Sequence, residues 1–399
     1  MTISKNTYFD ACTIYILLWL FGEVQGMLFN SSLIAMLFYI PYLGMTLYFV
    51  VKAFSSYRFR GVMSAFSVFF IVLLLYGVMA VLLDTAKVDK KSFLMMVINN
   101  LGPVFSFYYF SRKEMLTEKR MLFWFFVFLV VATLNYFVAQ QKALDALAQD
   151  LYKYDEITNG AAYYLLGLLP FVFLLKNKSL WQYAIMVYVM YFVVSGLKRG
   201  AILVSLFMIV WFVYIKTISS SNIKRIGVLL LTIALLSIGW YYVVRFYNTS
   251  DYFQARVEKT MEGNSSNRNE IYSTLWNHYI NNDNFLQLVF GEGGYHSVNV
   301  SGLKAHNDWL ELLIDCGILG VIVYLIYWIC FIRDWLRNKS NFLVYSMMGA
   351  CLIFTFLRTL FSMSFCSLPF YVSLTMGYSF VQFQSTPNNS IDNEDINSR

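Results

Sequence analysis

The chain has 399 residues, of which 59% are hydrophobic and 13% charged, and its mean hydropathy is +0.57. A soluble domain carries roughly a quarter charged residues, so this composition excludes a water-soluble globular protein and indicates a polytopic membrane protein. The net charge of +7 is then expected in loops on the cytoplasmic side, not on a nucleic-acid surface.

Apolar runs predict an all-α protein of about twelve transmembrane helices, at 9–29, 31–53, 61–83, 92–110, 121–139, 160–175, 180–196, 200–217, 226–246, 306–331, 342–361 and 368–384. The first run, Ala11 to Phe21, has no A-x-A-like exit and leads into further spans, so it reads as a retained helix. Gly22-Glu23 and Gln25-Gly26 interrupt the first pair. The coarse units are 1–246 (helices 1–9), 247–304 (a long outer loop), 305–385 (helices 10–12) and 386–399 (a polar, acidic, disordered tail). Cys12, Cys316, Cys330, Cys351 and Cys366 are scattered through apolar segments. None forms C-x-x-C and no histidine spacing suggests zinc, so buried packing is their expected role. No metal or cofactor is expected.

Basic residues fix an orientation. Lys52, Arg58 and Arg60, then Arg112, Lys113, Lys119 and Arg120, then Lys176 and Lys178, then Lys216, Lys224 and Arg225, and last Arg333, Arg337 and Lys339 fall on one side. The positive-inside rule makes that side cytoplasmic, with both termini on it and the loop 247–304 outside. The turn "SGLKRGA" (195–201) breaks the rule, with Lys198 and Arg199 on the outer side. Lipid headgroups and a bound anion are both open readings. Arg245, Arg268 and Arg358 also fall at outer helix ends or in the outer loop. Arginine at membrane level needs a partner, and guanidinium donors fit phosphate oxygens in bidentate fashion.

Within the outer loop, "NRNEIYSTLWNHYI" (267–280) predicts a surface helix. Asn267 would cap it with Glu270 as reciprocal partner, and Ile271, Leu275 and Tyr279 would line one face. Arg268 in the first turn opposes the helix dipole, which argues for a role beyond helix stability, although an exposed solubilising residue is also compatible. "FGEGGYHS" (290–297) is a glycine turn. It is not a P-loop, because no Gly-Lys-Ser/Thr follows. His278 and His296 have no clear partner pattern and read as polar loop residues.

The stretch "GLKAHNDWLELLIDCGILG" (302–320) begins a helix at its His-Asn. Asp308, Glu311 and Asp315 share one face at i, i+3, i+7. His306 and Asn307 are expected in the first turn, where the positive end of the dipole favours a neutral imidazole able to accept a proton. A histidine that merely caps the helix is the competing reading. Gly317 and Gly320 fit close helix packing.

In order, "SGLKRGAIL", "RNEIYSTLWNHYI", "FGEGG" and "AHNDWLELLIDCGILG" resemble the motifs of bacterial O-antigen polymerases and O-antigen ligases. The resemblance covers about residues 160–330 by motif and the rest by many-helix architecture alone. It implies a multi-pass protein of the bacterial inner membrane, working at the periplasmic face on saccharides carried by undecaprenyl diphosphate. Arg199 and Arg268 match arginines that would bind the diphosphate, and His306 matches a histidine that would orient or deprotonate the acceptor hydroxyl. Asn307 and Asp308 belong to the same acceptor-side motif. The family often has serine before the first arginine, where this chain has Lys198, which adds charge at the diphosphate site. Arg245 and Arg358 join the diphosphate set from position alone.

The chain has no D-x-D sequence for a metal-bridged nucleotide sugar, whereas a lipid diphosphate is already an activated leaving group. The leading expectation is a polymerase joining lipid-linked repeat units, with a chain-length regulator and a flippase as potential partners. The alternatives are a ligase that moves the finished chain to lipid A–core, and a flippase or other transporter. Transporters place charges near the midplane and carry internal repeats, which this sequence does not display.

Overall fold

The computed structural model describes residues 10–28, 32–82, 90–148, 159–176, 178–249, 254, 258 and 268–384. The described residues form helices and turns with no strand. The expected Asn267 cap, the outer-loop residues just before it and the acidic tail lie outside this set.

The long helices are α1 (Ala11–Leu28), α2 (Ser32–Ser56), α3 (Gly61–Leu82), α4 (Lys90–Arg112) and α5 (Glu118–Ala148). After α6 (Ala162–Leu166) come α7 (Ser179–Ser195), α8 (Arg199–Ile218) and α9 (Asn222–Thr249). Three loop helices follow: α10 (Arg268–Ile280), α11 (Phe285–Phe290) and α12 (His296–Ser301). The chain closes with α13 (Asp308–Arg337), α14 (Phe342–Phe361) and α15 (Phe370–Gln384). Among the described residues, seven segments are long and apolar enough to cross a membrane: Met36–Ser56, Gly61–Leu82, Ser92–Arg112, Glu118–Ala146, Arg199–Ile218, Asp308–Ser340 and Phe342–Phe361. Shorter apolar helices lie at Ala11–Met27, Ala162–Leu174, Ser179–Ser195 and Arg225–Tyr241.

Apolar side chains both fill the interior and coat the outside. Tyr15, Phe66, Phe69, Phe70, Phe105, Phe107 and Phe110 are buried among one another, whereas Leu82, Leu180 and Val210 are 74%, 82% and 67% exposed. Helices apolar on all sides are what a bilayer requires. α4 packs against α2, α3 and α15 and is, like α14, largely enclosed by its neighbours.

The predicted span at 160–175 is broken. α6 ends at Leu166 and a 3₁₀ turn takes over from Leu169 to Leu174, with Pro170 in its first turn. Proline lacks the amide an α-helix needs, so the helix stops there. The segment is buried, and Gln182 Nε2 donates to Val172 O at 3.1 Å. Irregular backbone inside a membrane protein requires such protein partners.

α3 and α13 run antiparallel. At one end, the buried Asp334 accepts from Val62 N at 2.5 Å and from Arg333 Nε at 2.9 Å. At the other, the Tyr76 hydroxyl donates to Phe290 O and, at 3.4 Å, to Cys316 O. The first end also holds Arg58, Arg60 and Arg337. The second holds the loop helices and His306.

α13 bends where it meets the loop. Gly317 has φ 64° and ψ −167° inside the helix, a conformation open to glycine alone at little cost. The bend frees carbonyls that Glu292 N and Gly293 N then use, bonding Ile314 O at 2.9 Å and Asp315 O at 3.0 Å. Gly291 and Gly317 meet backbone to backbone, so a Cβ on either would strike main-chain atoms. α10 docks on the same region through Leu275, Ala305 and Ile314, with Ile271, Tyr272, Tyr279 and Leu310 around them.

Candidate active site

Five chain segments converge at the His306 end of α13. The turn before α8 supplies Lys198 and Arg199. Leu197 in that turn has φ 52°, Lys198 is extended, and α8 starts at Arg199. The next residue, Gly200, lies so close to the Tyr163 hydroxyl that a Cβ there would clash with it, and would crowd Phe361 as well. Arg268, the first residue of α10, donates from Nη1 to Phe361 O at 3.1 Å. Phe361, the last residue of α14, therefore touches the ends of both arginine-bearing helices. Arg199 and Arg268 are half-buried and within electrostatic range of each other.

His306 faces this group. Its backbone is left-handed, with φ 55°, which is uncommon outside glycine although histidine tolerates it better than most. Buried Ala305 on one side and Asn307 on the other hold it there. Asn307 is the N-cap of α13, and its side chain accepts from Trp309 N at 3.0 Å and Leu310 N at 3.3 Å. His306 therefore stands one residue before the cap, outside the helical turn where the sequence pattern placed it. Its ring is open to solvent on one side and makes no hydrogen bond among the described residues. Its pKa is lowered from 6.5 to about 4, first by desolvation against the surrounding protein and then by the charges of Arg268, Lys198 and Lys304. The imidazole is neutral at neutral pH, as expected, but burial and cations are the causes in place of the helix dipole.

Arg358 lies beneath, on α14, and is 3% exposed. Its Nη2 donates to Met363 O at 2.9 Å, Ser367 O at 3.0 Å and Ser367 Oγ at 2.6 Å. Its guanidinium sits 5.0 Å from the Tyr163 ring centroid and 5.1 Å from that of Phe354. Nε and Nη1 form no hydrogen bond among the described residues. A buried guanidinium with unused donors is costly and leaves capacity for an anion.

The three acids in the first third of α13, Asp308, Glu311 and Asp315, are all at most 3% exposed, and the two aspartates serve as anchors. Asp308 accepts from Tyr324 Oη at 2.8 Å, from Ser364 N at 3.0 and 3.1 Å, and from Phe365 N at 3.3 Å. Asp315 accepts from Tyr295 N at 3.0 Å and Ser297 N at 2.8 Å, and so fixes the start of α12. Glu311 lies by the Ala305 and His306 amides and the Lys304 ammonium, while its Oε1 completes no hydrogen bond of normal geometry among the described residues.

The structure thus gathers Lys198, Arg199, Arg268, His306 and Arg358. It does not bring in Arg245, which is exposed near the end of α9 with no described interaction tying its side chain to the group. Asn307 and Asp308 are adjacent but committed to capping and anchoring. Sequence reasoning missed Tyr163, Lys304 and Glu311. Lys304, two residues before His306, was visible in the motif. Tyr163 carried no sequence signal, because only the broken helix brings it under Arg358.

A family described as a domain of unknown function (DUF7789) matches residues 51–155. That segment covers the end of α2 and all of α3, α4 and α5, and none of the residues gathered around His306. No curated protein matches the chain.

Proposed function

We propose that this chain is a lipid-diphosphate-dependent glycosyltransferase that polymerises a surface polysaccharide. It joins undecaprenyl-diphosphate-linked repeat units, of O-antigen or a related glycan, at the periplasmic face of the bacterial inner membrane. The observation that carries this reading is a neutral His306 set among Lys198, Arg199 and Arg268, with Arg358 beneath. In this reading the seven long apolar segments, the four shorter ones and α15 make twelve spans. Both termini are then cytoplasmic, and the end bearing Arg58, Arg60 and Arg337 faces the cytoplasm.

The chemistry follows from the charges. The guanidinium groups bind the diphosphate of the donor, and its prenyl tail stays in the bilayer. His306 takes the proton of the acceptor hydroxyl as that oxygen bonds to the anomeric carbon of the donor. The bond from that carbon to the diphosphate oxygen breaks, and Arg199 and Arg268 stabilise the charge left on the diphosphate. Binding the anion also offsets the cations that depress His306, so the imidazole becomes a stronger base when substrate is present.

The test replaces Arg199, Arg268 and His306 singly with alanine in a host lacking the native gene. Each is expected to lower chain extension by about 10²–10³-fold, the range for removing a charge-stabilising group or a general base. Single lipid-linked units should still cross the membrane. Loss of translocation in all three variants would indicate a transporter instead.

A further inference from the structure

We propose that His278, Glu292 and His296 form a binding site for a divalent transition metal of the zinc class. This inference is independent of the proposed glycosyl transfer. The chain has three histidines in 399 residues, and two of them meet on one carboxylate. His278 Nε2 lies 2.7 Å from Glu292 Oε1, and His296 Nε2 lies 2.9 Å from Glu292 Oε2. The two rings stack with centroids 6.0 Å apart. One donor atom from each residue falls within 4.8 Å of the others.

Two imidazoles and a carboxylate form a recurrent zinc ligand set, with a fourth position left for water. Metal–ligand distances near 2.1 Å require donor atoms about 3.4 Å apart, so side-chain movements of about an ångström convert the present cluster into a coordinated one. The ligands are held from outside, as metal ligands usually are. Asn282 Nδ2 donates to Glu292 Oε1 at 3.2 Å and to Gln287 Oε1 at 3.0 Å. The Glu292 backbone is fixed on Ile314 O in the bend of α13. His296 opens α12, whose amides Asp315 binds. The cluster is half-buried and borders an open recess lined by Asn281, Asp283 and Gln287, so an ion has a path in.

The three ligands come from three separate pieces of the loop: the last turn of α10, the glycine turn and the start of α12. A metal there would staple these pieces together and fix α10 over the bend of α13. Binding requires the Nε2 lone pairs, so each ring must carry its proton on Nδ1 in the loaded state.

The test uses full-length protein purified in detergent with a histidine-free tag, stripped with chelator and titrated with Co²⁺. The expected result is visible d–d absorption of tetrahedral or five-coordinate type, saturating at one equivalent and displaced by Zn²⁺. Glu292→Gln, nearly isosteric, should weaken binding by more than about tenfold. His278→Asn/His296→Asn should abolish it, and His306→Ala should retain it. Zn²⁺ should raise the melting temperature of the wild type and leave that of Glu292→Gln unchanged. If the double variant fails to fold, Glu292→Gln decides. A wild type without a saturable cobalt signal, or a Glu292→Gln variant that binds as the wild type does, would overturn the site. The cluster would then be a carboxylate hydrogen-bonded to two imidazoles.

Discussion

His306 combines three properties that a structural histidine does not need: a left-handed backbone, an open ring without a hydrogen-bond partner among the described residues, and a pKa near 4. Such strain at an exposed polar residue is characteristic of functional sites. The depressed value fixes the sign of two pH effects. Between the unperturbed 6.5 and the folded 4, the unfolded chain binds more protons, so stability from this group is complete above about pH 6.5 and is lost as pH falls toward 4. For catalysis, kcat/KM reports the free enzyme and kcat the complex. The acid limb of kcat/KM should therefore lie well below pH 6, and that of kcat should lie higher, because the bound diphosphate offsets Arg268 and Lys198. Parallel pH–rate profiles check this. Limbs that coincide at 6.5, or a profile unchanged in His306→Ala, would remove His306 as the base.

At the scale of elements, the start of α13 is tied to what surrounds it by its acids. Asp308 joins α13 to the turn after α14 through Ser364 and Phe365. Asp308→Ala leaves two buried amides and the Tyr324 hydroxyl without an acceptor, at about 1–3 kcal/mol each. The expected outcome is a melting temperature several degrees lower in detergent, with Asp308→Asn intermediate. A variant that melts like the wild type yet cannot extend chains would give Asp308 a chemical role instead.

Helix placement was largely legible in the sequence. The apolar runs at 61–83 and 342–361 coincide with Gly61–Leu82 and Phe342–Phe361, because twenty apolar residues have few other ways to satisfy their backbone in a bilayer. The loop helix at 268–280 was legible for the same kind of reason, since Ile271, Leu275 and Tyr279 share a face that needs covering. The bend at Gly317 was not, because a glycine in an apolar helix reads equally as a packing contact. The meeting of His278 with His296 was also hidden. A glycine turn of unpredictable course separates them, and its path is fixed by the carbonyls freed at the bend together with the Asp315 carboxylate.

On the whole-molecule scale, the chain divides its charges by end. Arg58, Arg60, Arg333 and Arg337 gather where α13 finishes, whereas Lys198, Arg199, Arg268 and His306 gather where it begins, with Arg358 buried beneath. The first group fits retention of a cytoplasmic side. The second is a cationic cluster at the opposite end of the helix, and under the proposed orientation the positive-inside rule alone would disfavour it there. Charge placed against that rule needs an anion to justify it, and a lipid-linked diphosphate would arrive there with its tail already in the bilayer.

The most direct measurement supplies purified protein in nanodiscs with undecaprenyl-diphosphate-linked repeat units from its native host, and nothing else, and separates the products on a gel. The expected result is a ladder of progressively longer lipid-linked chains that disappears in Arg268→Ala and His306→Ala. No ladder from these units alone, with transfer appearing only once lipid A–core is added, would contradict the polymerase and identify a ligase using the same donor site.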